Sequence, residues 1–119
     1  MQITWSSFHA KYNEAEVKAY VPRSAGVYLL WVQLKNDKWR CFYAGQADDL
    51  ERRVLRHLAD SEENECIKKH VSAYVCGFEY AEIGRQSDRD GIEKYLYDHY
   101  RPECNQNNPG GTAIEVNLP

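Results

Sequence analysis

No apolar run in the sequence approaches the ~20 residues that a membrane-spanning helix needs. Proline and glycine are sparse, 4 and 7 in 119 residues, and nothing concentrates them into a linker, a collagen-like repeat or a low-complexity tract. There is no CxxC pair and no compact Cys/His cluster; Cys66 with His70 comes nearest to a ligand pair, which is too little for a zinc module. The N-terminus, MQITWSSFHAKYNEAE, lacks the charged-then-apolar pattern of a signal peptide. Neither sign of charge dominates, since 15 Lys and Arg against 18 Asp and Glu leave a formal net charge of −3. That balance argues against a strongly basic nucleic-acid binder, although a net sum can hide a local basic cleft.

What is present is a 43% apolar, 13% aromatic chain whose length suits one domain, residues 1–119, with a real core. The four cysteines, Cys41, Cys66, Cys76 and Cys104, are expected to be reduced, mostly buried small side chains, in agreement with a cytoplasmic location and no membrane. The first twenty or so residues read as a helix capped by Ser6 or Ser7, with Phe8, Tyr12, Ala15 and Ala19 as a loose stripe, ended at Val21 and Pro22. Gly26 to Leu34 and Trp39 to Ala44, joined by the polar Lys35 to Lys38, predict an antiparallel hairpin closed by Gly45. Asp48 or Asp49 caps a helix to about Leu58, with Leu50, Val54, Leu55 and Leu58 as its apolar arc. An acidic, solvated loop from Asp60 to Glu65 follows, then a short helix through Ile67 and Val71 and a strand from Tyr74 to Ile83. A last helix, capped by Ser87, runs to about Tyr100, and 113–118 alternates like an edge strand. The order predicts an α+β fold: a small antiparallel sheet of about three strands flanked by helices.

Several polar residues sit where chemistry is possible. Tyr28 and Tyr43 occupy the hairpin in Gly26-Val27-Tyr28 and Tyr43-Ala44-Gly45. Arg53 and His57, four apart on the next helix, share a face that flanks its apolar arc, and so project toward the hairpin. Glu93 lies on the margin of the last helix's buried face, and Asn105 follows in Pro102-x-x-Asn105. Each alone is ordinary: a core-edge tyrosine, a solvated arginine, a satisfied histidine, a helix glutamate, a turn asparagine. Together and in this order they resemble the GIY-YIG nuclease domain, over about residues 22–108, with an extra N-terminal helix and a C-terminal tail. Val27 and Ala44 replace the two isoleucines of the family's name, and the stretch from Leu29 to Phe42 is longer than is common; neither change removes a reactive group.

The resemblance implies a divalent-metal-dependent endonuclease acting on DNA. Such an enzyme must deprotonate a water, neutralise the phosphoryl oxygens and stabilise the leaving group. On that reading Glu93 is the carboxylate for Mg²⁺ (or Mn²⁺), because hard cations take oxygen ligands. Arg53 suits a non-bridging phosphate oxygen. A tyrosine is the general base, Tyr43 preferred, with Tyr28 orienting the water and His57 holding a tyrosine or shuttling its proton. Asn105 braces the loop or contacts phosphate. Gln46, Arg52 and Arg56 are candidate DNA contacts; for Gln46, a place at the helix start is the alternative. The competing function is a catalytically inactive or partner-dependent nucleic-acid-binding or protein-interaction module on the same fold, which has no need of a metal carboxylate beside Arg53. One domain can cut without choosing where, so a homodimer or a separate targeting partner is also expected.

Overall fold

The computed structural model describes residues 1–119. Its elements are α1 (Glu14–Tyr20), β1 (Gly26–Gln33), β2 (Trp39–Ala47), α2 (Leu50–Arg56), α3 (Glu65–Ala73), β3 (Cys76–Glu82) and α4 (Gln86–Tyr100). The three strands form one antiparallel sheet in the order β2-β1-β3, as the α+β reading expects. β1 is central because it is nearly continuous in apolar residues and buries both faces. The hairpin turns where Leu34 N–H donates to Lys38 O, with Asp37 in the left-handed region at φ 65°. β2 continues past Gly45 to Ala47, and its register against β1 shifts at Leu30/Trp31.

Side-chain alternation sends two cores to opposite faces. Tyr28, Leu30, Phe42 and Phe78 pack beneath α1 and α2 with Val17, Leu50 and Val54. Val27, Leu29, Ala44 and Ala81 pack against Ile92 and Leu96 of α4. Asp49 caps α2 by accepting from Arg52 N–H, and Asn64 caps α3 by accepting from Ile67 N–H at 3.2 Å.

Four local expectations are corrected. The N-terminal helix is only α1, capped by Asn13; residues before it are extended and cover the outer edge of β3, where Trp5 pairs with Ala81 and His9 with Phe78. An uncovered edge leaves backbone donors and acceptors idle, which outweighs the weak helical stripe. Gly77 permits the approach, because a Cβ there would lie 2.6 Å from both His9 O and the Phe8 ring. α4 begins at Gln86 rather than after Ser87, and Arg85 caps it without a side-chain bond. The C-terminal tail is no strand: Ile114 N–H bonds Gly91 O, and the Asn117 amide bonds both Ile3 N–H and Ile3 O. Its alternation marks burial of Val116 without a ladder. Finally, Cys66 and Cys104 are joined in a disulfide, because the first turn of α3 meets the loop after α4; Cys41 and Cys76 are free and buried. Two of the four cysteines are thus not thiols, and cysteine usage no longer points to a reducing compartment. No helix is long and apolar enough to cross a membrane.

Candidate active site

The predicted residues gather around the outer edge of β2, where α2 approaches from one face of the sheet and α4 from the other. Tyr28 and Tyr43 reach the α2 side, with ring centroids 6.1 Å apart. Gly45 makes room for both: a Cβ there would stand 2.6 Å from the Tyr28 hydroxyl oxygen and 2.8 Å from the Tyr43 ring. Tyr28 is completely buried, whereas Tyr43 is half-buried and faces a cavity. Burial pushes the Tyr28 phenol well above its usual pKa, so it is a neutral hydroxyl. Burial also raises Tyr43, against the pull of the Arg53 guanidinium beside it.

His57, just past the end of α2, is buried with Nε2 2.7 Å from Tyr28 Oη. Its Nδ1 lies 3.0 Å from Glu62 Oε2. The other Glu62 oxygen accepts Asn64 N–H at 3.0 Å, and the Asn64 amide donates to Cys104 O at 2.9 Å. Burial holds His57 below the ordinary imidazole pKa despite the Glu62 carboxylate, and the Arg53 and Arg56 charges push the same way as burial. The stretch Asp60 to Glu65 is thus not simply a solvated acidic loop, because Glu62 and Asn64 turn inward. A chain of like charges gives no hint of which member folds back; the capping position of Asn64, three residues before Ile67, was the one local signal.

Glu93 is half-buried on α4, and burial raises its carboxyl, with Gln46 bonding opposing and the Asp90 charge adding. Gln46 Nε2 donates to Glu93 Oε1 at 3.2 Å and to Asp90 Oδ1 at 2.8 Å. Gln86, one turn before Asp90, donates to Gln46 Oε1 and to Asp90 Oδ1, both at 2.8 Å. Arg89, buried, holds the Gln86 oxygen at 2.7 Å. Asp90 and Gln86 escaped the sequence reading, although their i, i+4 and i+7 spacing with Glu93 puts all three on one face. Asn105 pairs with the free edge of β2: its amide donates to Ala44 O at 2.8 Å and accepts Ala44 N–H at 3.0 Å. It acts as a one-residue substitute strand between Tyr43 and Gly45.

Three adjoining cavities share Arg53. One of about 320 Å³ is lined by Tyr43, Arg53, Glu93 and Asn105, with Asn64, Gln106, Asn107 and Pro109. A second, about 160 Å³, adds Arg56, His57 and Glu62. A third, about 170 Å³, holds Gln46, Asp48, Asp49, Arg52 and Arg56. A larger cavity, about 540 Å³, lies elsewhere, between the N-terminal segment and β3, and includes none of these residues. The structure therefore brings Tyr43, Arg53, Glu93 and Asn105 to one surface, places Arg52, Arg56 and Gln46 beside it, and seals Tyr28 behind it.

No family model and no curated protein matches the sequence. Among solved structures, the chain is similar to two crystal structures of the GIY-YIG N-terminal endonuclease domain of UvrC from Thermotoga maritima. Each is a tyrosine-to-phenylalanine point mutant bound to its catalytic divalent cation. Sequence identities are 20% and 19%; both superpose with a TM-score of 0.59, over 77% of this chain and 97% of theirs. At that identity the likeness establishes the fold: the three-stranded sheet and its helices have the GIY-YIG arrangement.

Proposed function

We propose that this protein is an endonuclease that hydrolyses DNA phosphodiester bonds with a divalent cation, at the cleft where Tyr43, Arg53 and Glu93 meet. The observation that carries this reading is the convergence of a phenol, a guanidinium and a carboxylate on one cavity from three separate elements. Each matches one need of phosphodiester hydrolysis: proton removal, charge neutralisation and a hard oxygen ligand. The solved neighbours, endonuclease domains that carry a catalytic divalent cation, support it further.

The donor set fits such a cation. Oxygens of Asp90 and Glu93 lie 2.8 and 3.2 Å from a single amide nitrogen, that of Gln46, so both carboxylates face the same side of the cleft wall. A half-buried carboxylate beside a second one gains from a positive partner. Glu93, with Asp90 beside it, would hold Mg²⁺ or Mn²⁺. When bound, the ion supplies positive charge to the phosphoryl and leaving oxygens. Gln46 then serves to orient the two carboxylates before it serves DNA, and Arg89 and Gln86 fix Gln46 in turn.

Arg53 is exposed in all three cavities and binds a non-bridging phosphate oxygen, where its planar fork offers two donors. Arg52 and Arg56 flank it and follow the DNA backbone. Tyr43 takes the proton of the attacking water, since it faces the cavity and Tyr28 does not. Its hydroxyl ionises more readily as positive charge gathers around it, so cleavage rises with pH above neutrality. Tyr28 supports this geometry from behind through His57. One site cuts one strand, so double-strand cleavage takes two copies or a partner.

Incubation with supercoiled, branched and single-stranded DNA tests the reading, with Mg²⁺, Mn²⁺ or EDTA and with Glu93→Ala and Arg53→Ala alongside. Metal-dependent nicking that both substitutions abolish is expected. Absence of cutting on every substrate, or a Glu93→Ala protein that cuts like the native one, rejects it.

A further inference from the structure

The hydrogen-bond chain behind the cleft has a direction that can be worked out from its ends. Arg53 stands beside the hydroxyls of Tyr28 and Tyr43 and carries only donors. The Tyr28 proton therefore cannot point at the guanidinium. The one acceptor within reach of that proton is His57 Nε2, at 2.7 Å, so Tyr28 donates and Nε2 accepts. A neutral imidazole that accepts at Nε2 carries its proton at Nδ1. That proton meets Glu62 Oε2 at 3.0 Å, and the second Glu62 oxygen is fixed by Asn64 N–H. All three side chains are at least nine-tenths buried, which strengthens these bonds.

We infer that Glu62 is a positioning residue: it sets the His57 tautomer, which aims the Tyr28 hydroxyl and leaves its oxygen lone pairs free to face Arg53. This deepens the nuclease reading and rests on it for its effect on cleavage, though not for its effect on His57. Without the carboxylate, His57 gains nothing from holding its proton at Nδ1. With the proton at Nε2, it donates to Tyr28, and the Tyr28 hydrogen turns toward the guanidinium. Arg53 then shifts from the place where it meets phosphate. Glu62→Gln imposes this conflict at nearly unchanged volume. Its amide has one oxygen for two donors, His57 Nδ1–H and Asn64 N–H, so one donor must face an NH₂ group.

The test reads the ¹⁵N shifts of the His57 ring by long-range ¹H–¹⁵N NMR, assigned by the loss of its signals in His57→Gln. In the native protein the Nδ1–H form is expected; in Glu62→Gln the signals move toward the Nε2–H form. In parallel, Glu62→Gln should lower kcat for DNA nicking by at least about tenfold with KM little changed. A purely structural role would lower the folded fraction and leave the tautomer and the kcat of the folded protein alone. A native His57 protonated at Nε2 overturns the proposal, and the native spectrum gives that answer even if the variant fails to fold. Native kcat in a folded Glu62→Gln protein overturns it as well. If the native protein cuts no DNA, the nuclease reading fails, while the tautomer still decides whether Glu62 sets His57.

Discussion

The two faces of the sheet each bury an apolar core and treat buried polar groups in opposite ways. Under α4 the side chains of Val27, Leu29, Ala81, Ile92 and Leu96 make a core whose one buried carboxylate, Glu79, sits opposite Leu29. Burial pushes that carboxyl up to about 7, and the nearby Trp31 indole N–H has no aligned acceptor. Under α2 the buried polar groups form a complete chain, Glu62 to His57 to Tyr28, that ends beside Arg53. Both faces hold the fold together, and the α2 face also fixes directions. Stability and function should therefore separate when each face is perturbed.

The largest effect expected is loss of the Cys66–Cys104 disulfide, which closes a separation of 38 residues. Chain entropy puts its contribution at about 4 kcal/mol. It also anchors the loop that carries Asn105 and accepts from Asn64, so the Cys66→Ser/Cys104→Ser protein should lose both stability and nicking rate, measured by urea unfolding and plasmid assay. Full activity in that protein would place the site's rigidity elsewhere. Next, Leu96→Ala on the α4 face should cost about 3 kcal/mol and leave nicking unchanged at temperatures where it is folded. A large fall in kcat there would break the separation of the two faces.

The faces should also titrate in opposite senses. His57 resists protonation in the folded state, so its contribution is present above the unfolded pKa of about 6.5 and is lost as the pH falls below it. Glu79 has a raised carboxyl, so its contribution is present below its unfolded value and is lost as the pH rises through about 7. Urea midpoints between mild acid and pH 8 should lose their acid-side fall in His57→Gln and their neutral-side fall in Glu79→Gln. Parallel curves in the two variants would contradict the contrast. The smallest effect is that of Asn105→Ala, about 1 kcal/mol, from two lost bonds to Ala44 at a half-exposed edge. Its nicking rate should fall more than its stability suggests, because Ala44 lies between Tyr43 and Gly45.

What the sequence made legible follows local pattern. The hairpin, α3 and the buried face of α4 announce themselves within one element, and the α2 cap narrows to Asp48 or Asp49; the set Tyr43, Arg53 and Glu93 spans three elements and is read only from its order. The missed features join distant positions: Cys66 to Cys104, Asn105 to Ala44, and Ile3 to Asn117. Glu62 is close to His57 in sequence, yet only the tight turn after α2 folds it inward, and no periodicity marks a turn's interior. The acidic run from Asp60 to Glu65 looked like one solvated unit because charge is usually exposed. The structure divides it, and the buried member is the one that bears on the site. The modest net charge likewise gave no sign of Arg52, Arg53 and Arg56 lining one cavity.

The central claim is that Tyr43, facing the cavity between Arg53 and Glu93, removes the proton of the attacking water. Its most direct test is the initial rate of supercoiled-plasmid nicking in Mg²⁺ by the native protein and by Tyr43→Phe, with equal folded fractions verified by circular dichroism. A loss of about a hundredfold or more is predicted, in keeping with removal of a general base. A Tyr43→Phe protein that nicks within about twofold of the native rate, far inside the range of general-base effects, would contradict it.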